Sequence, residues 1–109
     1  MHVIAVVALH RVVAFDLATP CEVFGAARLP DGSPAYEVRV CAEADAVATA
    51  TDTDCFTIRS PWRLDDLTAA DTVVVPGHAD FLEPPDDHLL DLLRQASTGG
   101  ARLASRPCR

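Results

Sequence analysis

The 109-residue chain has no lysine: its nine cations are all arginine, set against sixteen carboxylates, for a formal net charge of −7 and a pI of about 4.8. A field of that sign repels phosphate backbones and anionic headgroups, so this chain alone is expected to bind neither nucleic acid nor a membrane surface. The missing lysine goes with heavy use of alanine and reads as coding bias, so it implies no arginine-specific chemistry. Also missing are the pairings that build metal sites. Cys21, Cys41, Cys55 and Cys108 include no C-x-x-C pair, and His2, His10, His78 and His88 form no H-x-H or H-E-x-x-H pattern. Reduced thiols, with no metal and no cofactor, are expected. There is no long apolar run either. Val3 to Leu9 is too short for a signal core or a membrane span, which leads to the expectation of a cytoplasmic protein. No repeat, low-complexity tract or linker divides the chain, and its length suits one domain.

What is present is a globular composition, half apolar and 23% charged. Val3–Leu9 (VIAVVAL) is a continuous β-branched run, the mark of a strand covered on both faces in a parallel sheet. From Phe15 to Arg28, the residues Leu17, Cys21, Phe24 and Ala27 or Arg28 recur at helical spacing. Two start signals compete there. Asp16 fits an N-cap, and Thr19-Pro20-Cys21-Glu22 fits a capping box with proline at the first helical position, so the helix is expected to begin between 16 and 20. Pro30-Asp31-Gly32-Ser33-Pro34 reads as a turn, and Tyr36–Ala42 alternates like a strand nearer a sheet edge.

Val47–Ala50 and Cys55–Arg59 suggest a small hairpin, and Ser60–Leu67 a short helical turn. Asp71–Pro76 is another apolar strand ending at Pro76-Gly77. Pro84-Pro85-Asp86-Asp87 opens a helix with Leu89, Leu90, Leu93 and Ala96 on one face and Gly99-Gly100 at its end. Ala101–Ser105 begins one more strand. The fold class expected is α/β, a partial doubly wound, flavodoxin-like parallel sheet with a small β-hairpin, incomplete at the C-terminus. Its last strand would lack the helix that should cover it, which makes self-association an expectation.

Phe15-Asp16-Leu17-Ala18-Thr19-Pro20-Cys21-Glu22-Val23-Phe24 resembles the F-D-x-x-x-P-x-E-V-F signature of DJ-one/PfpI-type domains, which are class I glutamine amidotransferase-like and open AraC-family transcription regulators. Tyr36–Ala42, Asp71–Gly77 and Gly100–Ser105 match the same family in order and spacing. The resemblance implies that residues 1–105 are the N-terminal part of such a domain and that 106–109 are an unrelated tail. In that family the strand equivalent to Ala101–Ser105 leads into a sharp turn bearing a nucleophilic cysteine. Here the sequence reads Arg106-Pro107-Cys108-Arg109, and the turn motif is absent.

The resemblance gives Asp16 a role as the carboxylate facing that cysteine; by its pattern alone it is a helix cap. Glu22 is better explained by the capping box than as an acid partner. Gly77 and His78 follow a strand at its carboxyl end, where open sheets bind ligands, so Asp16, Gly77 and His78 are the candidate pocket residues. Cys108 stands near the position of the family's cysteine, but Pro107 precedes it and no helix follows to stabilise a thiolate. Cys21, Cys41 and Cys55 read as small hydrophobes, Trp62 as packing, and Asp65-Asp66 and Asp86-Asp87 as solvated or helix-starting carboxylates. The expected function is that of a truncated, ligand-sensing N-terminal domain of an AraC-family regulator. It would lack the helix-turn-helix part, bind a small-molecule effector and not act as an enzyme. The alternatives are a fragment of a cysteine-dependent, isonitrile-hydratase-like or amidase-like enzyme, and a product without function.

Overall fold

The computed structural model describes residues 1–50, 55–78 and 87–105. Strand β1 (His2–Ala8) leads into helix α1 (Ala14–Ala26) and strand β2 (Tyr36–Ala42). An antiparallel pair follows, β3 (Val47–Ala48) and β4 (Thr57–Ile58), with Val47 opposite Ile58. Strand β5 (Trp62–Arg63), a 3-10 helix (Leu64–Ala69), β6 (Thr72–Val75), α2 (Asp87–Thr98) and β7 (Arg102–Ser105) complete the order. Five strands form one parallel sheet in the order β5-β2-β1-β6-β7. The expected parallel sheet and hairpin are both present; the hairpin's connection, 51–54, lies outside the described residues.

The continuous apolar run of β1 is explained by its place at the centre. Its register runs from His2 beside Tyr36 to Ala8 beside Ala42, with Ile4, Ala5 and Val6 beside Thr72, Val73 and Val74 on the other side. Alternate residues then face opposite layers. Ile4, Val6 and Ala8 pack with Val12, Leu17, Ala42 and Val47 beneath α1 and the hairpin. Ala5 and Val7 pack with Cys41, Leu67, Val73, Leu89, Leu92 and Ala96 beneath α2 and the 3-10 helix. Each fully buried aliphatic side chain contributes about 1.5–3 kcal/mol, so this two-sided burial supplies much of what holds the sheet together.

Three local expectations are corrected. Helix α1 begins at Ala14, ahead of both start signals, with Val13 as its cap and no side-chain cap bond. Tertiary pinning decides the start: the Val13 N–H is held by the Gly77 carbonyl at 2.9 Å, and the Leu17 N–H then closes the first turn on the Val13 carbonyl at 3.0 Å. Pro20 consequently sits inside the helix, and Glu22 is an exposed mid-helix residue rather than part of a capping box. The Thr19 hydroxyl, expected to cap, donates instead to the Phe15 carbonyl at 2.7 Å.

Trp62 and Arg63, read as the start of a helical turn, form an edge strand beside Cys41 and Ala42, and the 3-10 helix starts one residue later. On α2 the buried residues are Leu89, Leu92 and Ala96 with Leu93 half-buried against them, while Leu90 is turned outward. Spacing of 3, 4 and 7 from Leu89 selects Leu92, Leu93 and Ala96 for one face.

The α2 C-terminus ends as its glycines require. The Ala101 N–H donates to the Ala96 carbonyl and the Gly100 N–H to the Ser97 carbonyl, both at 3.0 Å, the paired bonds of a Schellman motif. Gly100 has φ +98°, and no atom lies within 4 Å of where a Cβ would stand. This stop aims the chain into β7, an edge strand on which Leu103 is half exposed and Ala104 exposed. The cost of a side chain at 100 is therefore purely conformational. Gly100→Ala is expected to lower stability by about 1 kcal/mol and Gly100→Asn by less. Urea unfolding checks this, and an alanine variant with an unchanged midpoint contradicts it.

Candidate functional site

Strands β1 and β6 are neighbours, but the chain leaves them on opposite faces: α1 carries β1 to β2 on one side, and α2 carries β6 to β7 on the other. The carboxyl end of the sheet between β1 and β6 is therefore the topological switch point, where open α/β sheets usually form their ligand crevice. The segments that meet there are 10–13 after β1 and Pro76-Gly77-His78 after β6.

This boundary is tightly stitched. Arg11 adopts the left-handed conformation, φ 61°, uncommon for a residue with a side chain. Its N–H reaches the Ala48 carbonyl at 2.8 Å. Val12, only 1% exposed, bridges Thr49 on one side in parallel fashion and His78 on the other in antiparallel fashion. Its carbonyl accepts the Ala50 N–H at 2.9 Å, and next to it the Val13 N–H is held on Gly77. The β1 exit thus forms a clamp joining the hairpin, the start of α1 and the end of β6.

Of the candidate residues, the structure brings Asp16, Gly77 and His78 to this one end of the sheet. Asp16 is buried in the first turn of α1, where the helix dipole favours a negative charge, and it is an engaged residue rather than an isolated buried acid. Gly77 is buried and its carbonyl serves the clamp; His78 is half-buried opposite Val12. Cys108 lies outside the described residues. The exit of β7 is placed by register, since Ser105 pairs with Val75, two residues before Gly77. With β6 between them, the β1 and β7 exits stand about 10 Å apart, two strand spacings.

The residues missed by sequence reasoning are Arg11, Val12 and Thr49. Thr49 is buried at the end of the hairpin strand. The only signal was an apolar Val12-Val13 pair inside a loop, which local patterning cannot assign to a partner.

Burial pushes the Cys41 thiol up to about 11, with the Asp66 carboxylate adding to the effect. Burial, and then Glu22, raises Cys21 as well. Cys55 is exposed, contrary to the expectation that it packs as a small hydrophobe. Trp62 does pack: it lies against the α2-side core, with the Arg39 guanidinium 4.2 Å from its ring centre. Asp65 and Asp66 open the 3-10 helix. Asp66 accepts the Arg63 N–H at 2.8 Å, and Asp65 meets His88 of α2 at 3.0 Å, so the pair ties elements together rather than only facing solvent. Among the described residues no cluster of histidine, cysteine and carboxylate has the arrangement of a metal site, and no helix is long and apolar enough to cross a membrane.

Solved structures with this architecture are DJ-1-like. A two-domain protein from Anabaena variabilis with DJ-1/ThiJ/PfpI-like and ferritin-like domains superposes with a TM-score of 0.73 at 15% identity, over 96% of this chain and 29% of that one. A DJ-1 superfamily protein from Agrobacterium tumefaciens gives 0.74 at 14% identity, over 96% and 53%. An AraC family transcriptional regulator from Pseudomonas putida gives 0.61 at 17% identity, over 96% and 55%. No family profile matches the chain, and no curated protein does. The chain therefore has the DJ-1-like, flavodoxin-like α/β fold and spans about half the length, or less, of these structures.

The thiol environments give a directional test. Cys55 is expected to alkylate first with iodoacetamide and Cys41 only on unfolding, as peptide mapping would show. An acid whose folded pKa is raised keeps its proton while the unfolded chain loses it. Stability is accordingly expected to fall as pH rises from 9.0 towards about 11, and less steeply in Cys41→Ala. Equal pH slopes in the two proteins contradict this.

Proposed function

We propose that residues 1–105 are the N-terminal half of a small-molecule-sensing domain of the kind that precedes the DNA-reading part of AraC-family regulators. The observation that carries this reading is the switch point between β1 and β6, where backbone bonds of Val12 and Val13 join the end of β6 at Gly77 and His78 to the start of α1, whose first turn carries Asp16. The likeness to the Pseudomonas putida regulator supports it, as do the signature from Phe15 to Phe24 and the strand matches around it. A buried carboxylate and a half-buried imidazole at the same end of the sheet suit recognition of a small polar effector. In this reading the helix-turn-helix segments belong to a part of the protein other than residues 1–109, and the half-open β6–β7 side of the sheet is where the rest of the sensing domain docks.

We read the chain as non-catalytic. Two of the described thiols, Cys21 and Cys41, are raised in pKa by burial, whereas a nucleophilic thiol needs the opposite environment, and the third, Cys55, is an exposed loop residue before β4. The alternative, a fragment of a cysteine-dependent hydrolase, would require Cys108 to supply the nucleophile.

Two measurements test the proposal together. A gel-shift titration of this chain is expected to show no sequence-specific retention, given its net charge of −7. A thermal-shift screen of small amines, amides and carboxylic acids is expected to yield a stabilising compound whose effect, about 2.7 kcal/mol at a hundredfold excess over Kd, is lost in Asp16→Asn and His78→Ala. Specific DNA retention by residues 1–109, or hits indifferent to both substitutions, contradicts it.

A further inference from the structure

A polar recess lies on the β2–β5 side of the sheet, near the carboxyl end of β2. It is walled by Asp45, Arg59, Ser60, Pro61 and Arg63 and holds about 400 Å3, within the size range of small-molecule sites. Local chain geometry explains why two arginines meet there. The Ser60 hydroxyl donates to the Val40 carbonyl at 2.5 Å and accepts the Trp62 N–H at 3.3 Å. The chain leaving β4 is thereby fastened to β2 and turns back as β5, with Arg59 before the turn and Arg63 after it.

The Arg63 guanidinium is fixed in advance. One of its amino nitrogens donates to the carbonyls of Ser60 at 2.7 Å and Trp62 at 3.1 Å, and the other is paired with the Asp45 carboxylate. Ordering of this kind spares a ligand the entropy of immobilising the fork. The Asp45 carboxylate is 88% exposed, so this ion pair is strongly screened and easily exchanged. Arg59 is exposed and has no ion pair among the described residues. Asp66, the other nearby acid, is committed to the Arg63 backbone N–H. Two guanidinium groups and one solvated carboxylate thus line this recess, in a chain whose net charge is −7.

We propose that this recess binds a small dianion, a phosphoryl or dicarboxylate group, which bridges Arg59 and Arg63 and displaces Asp45. The site stands independently of the crevice reading, since it shares none of the residues Asp16, Gly77 and His78. Inorganic phosphate and succinate, titrated at constant ionic strength and followed by amide chemical shifts, are the probes.

At least one probe is expected to give saturable shifts centred on Ser60 and Arg63. Arg59→Gln, at an exposed position that carries no part of the core, should weaken binding by about fivefold, the upper range for an exposed charge pair. Asp45→Asn should tighten it by a similar factor. Saturation by phosphate alone assigns the phosphoryl class, and by succinate alone the dicarboxylate class. Absence of saturable shifts with both probes up to about 50 mM, roughly fiftyfold above a millimolar Kd, overturns the proposal. So does an unchanged affinity in Arg59→Gln.

Discussion

The structure depends on a short clamp of backbone hydrogen bonds at the exit of the central strand. Val12 and Val13 reach in three directions, to the hairpin through Thr49 and Ala50, to the end of β6 through Gly77 and His78, and into α1 through the first helical bond on Val13. Without these bonds, the buried polar backbone of the loop would lack partners at the point where three elements meet, and each such loss costs about 1–3 kcal/mol. The same bonds set the helix start at Ala14 and so fix where Asp16 stands. The site is a consequence of the clamp rather than an addition to it.

The sheet was largely legible in the sequence, because its physics is local. A continuous apolar run can only be a strand covered on both faces, and Val3–Leu9 proved to be the central one. The alternation of Tyr36–Ala42 fitted its half-covered neighbour, and Gly99-Gly100 specified a helix stop that the Schellman bonds reproduce. The start of α1 was misread because Asp16 and Thr19-Pro20 are sound local signals overruled by a long-range bond to Gly77. Trp62-Arg63 was misread because two residues carry no period, and only pairing with Cys41 and Ala42 makes them a strand. For the candidate site, motif and strand end pointed to Asp16, Gly77 and His78, which the structure places at one end of the sheet. The clamp was not legible, since Val12, Thr49 and His78 are joined only by the fold.

The proposed function draws on the difference between the sheet's two halves. On the β2 side the sheet is closed by α1, the hairpin and the β5 edge, and its polar rim carries Arg59 and Arg63. On the β7 side Leu103 and Ala104 remain open, and the solved structures that share this fold are about twice as long or longer. In the proposed reading, a ligand at the boundary between the closed and the open half would meet whatever docks on β7, and its binding would be felt through the clamp by the hairpin and α1 alike.

The rigidity of the clamp is the claim on which this account stands, and native-state hydrogen exchange reads it directly at the Arg11, Val13 and Ala50 amides. The account predicts that these three N–H groups exchange as slowly as the amides of β1, through global opening. Exchange at the rate of an exposed loop, while β1 stays protected, would contradict it.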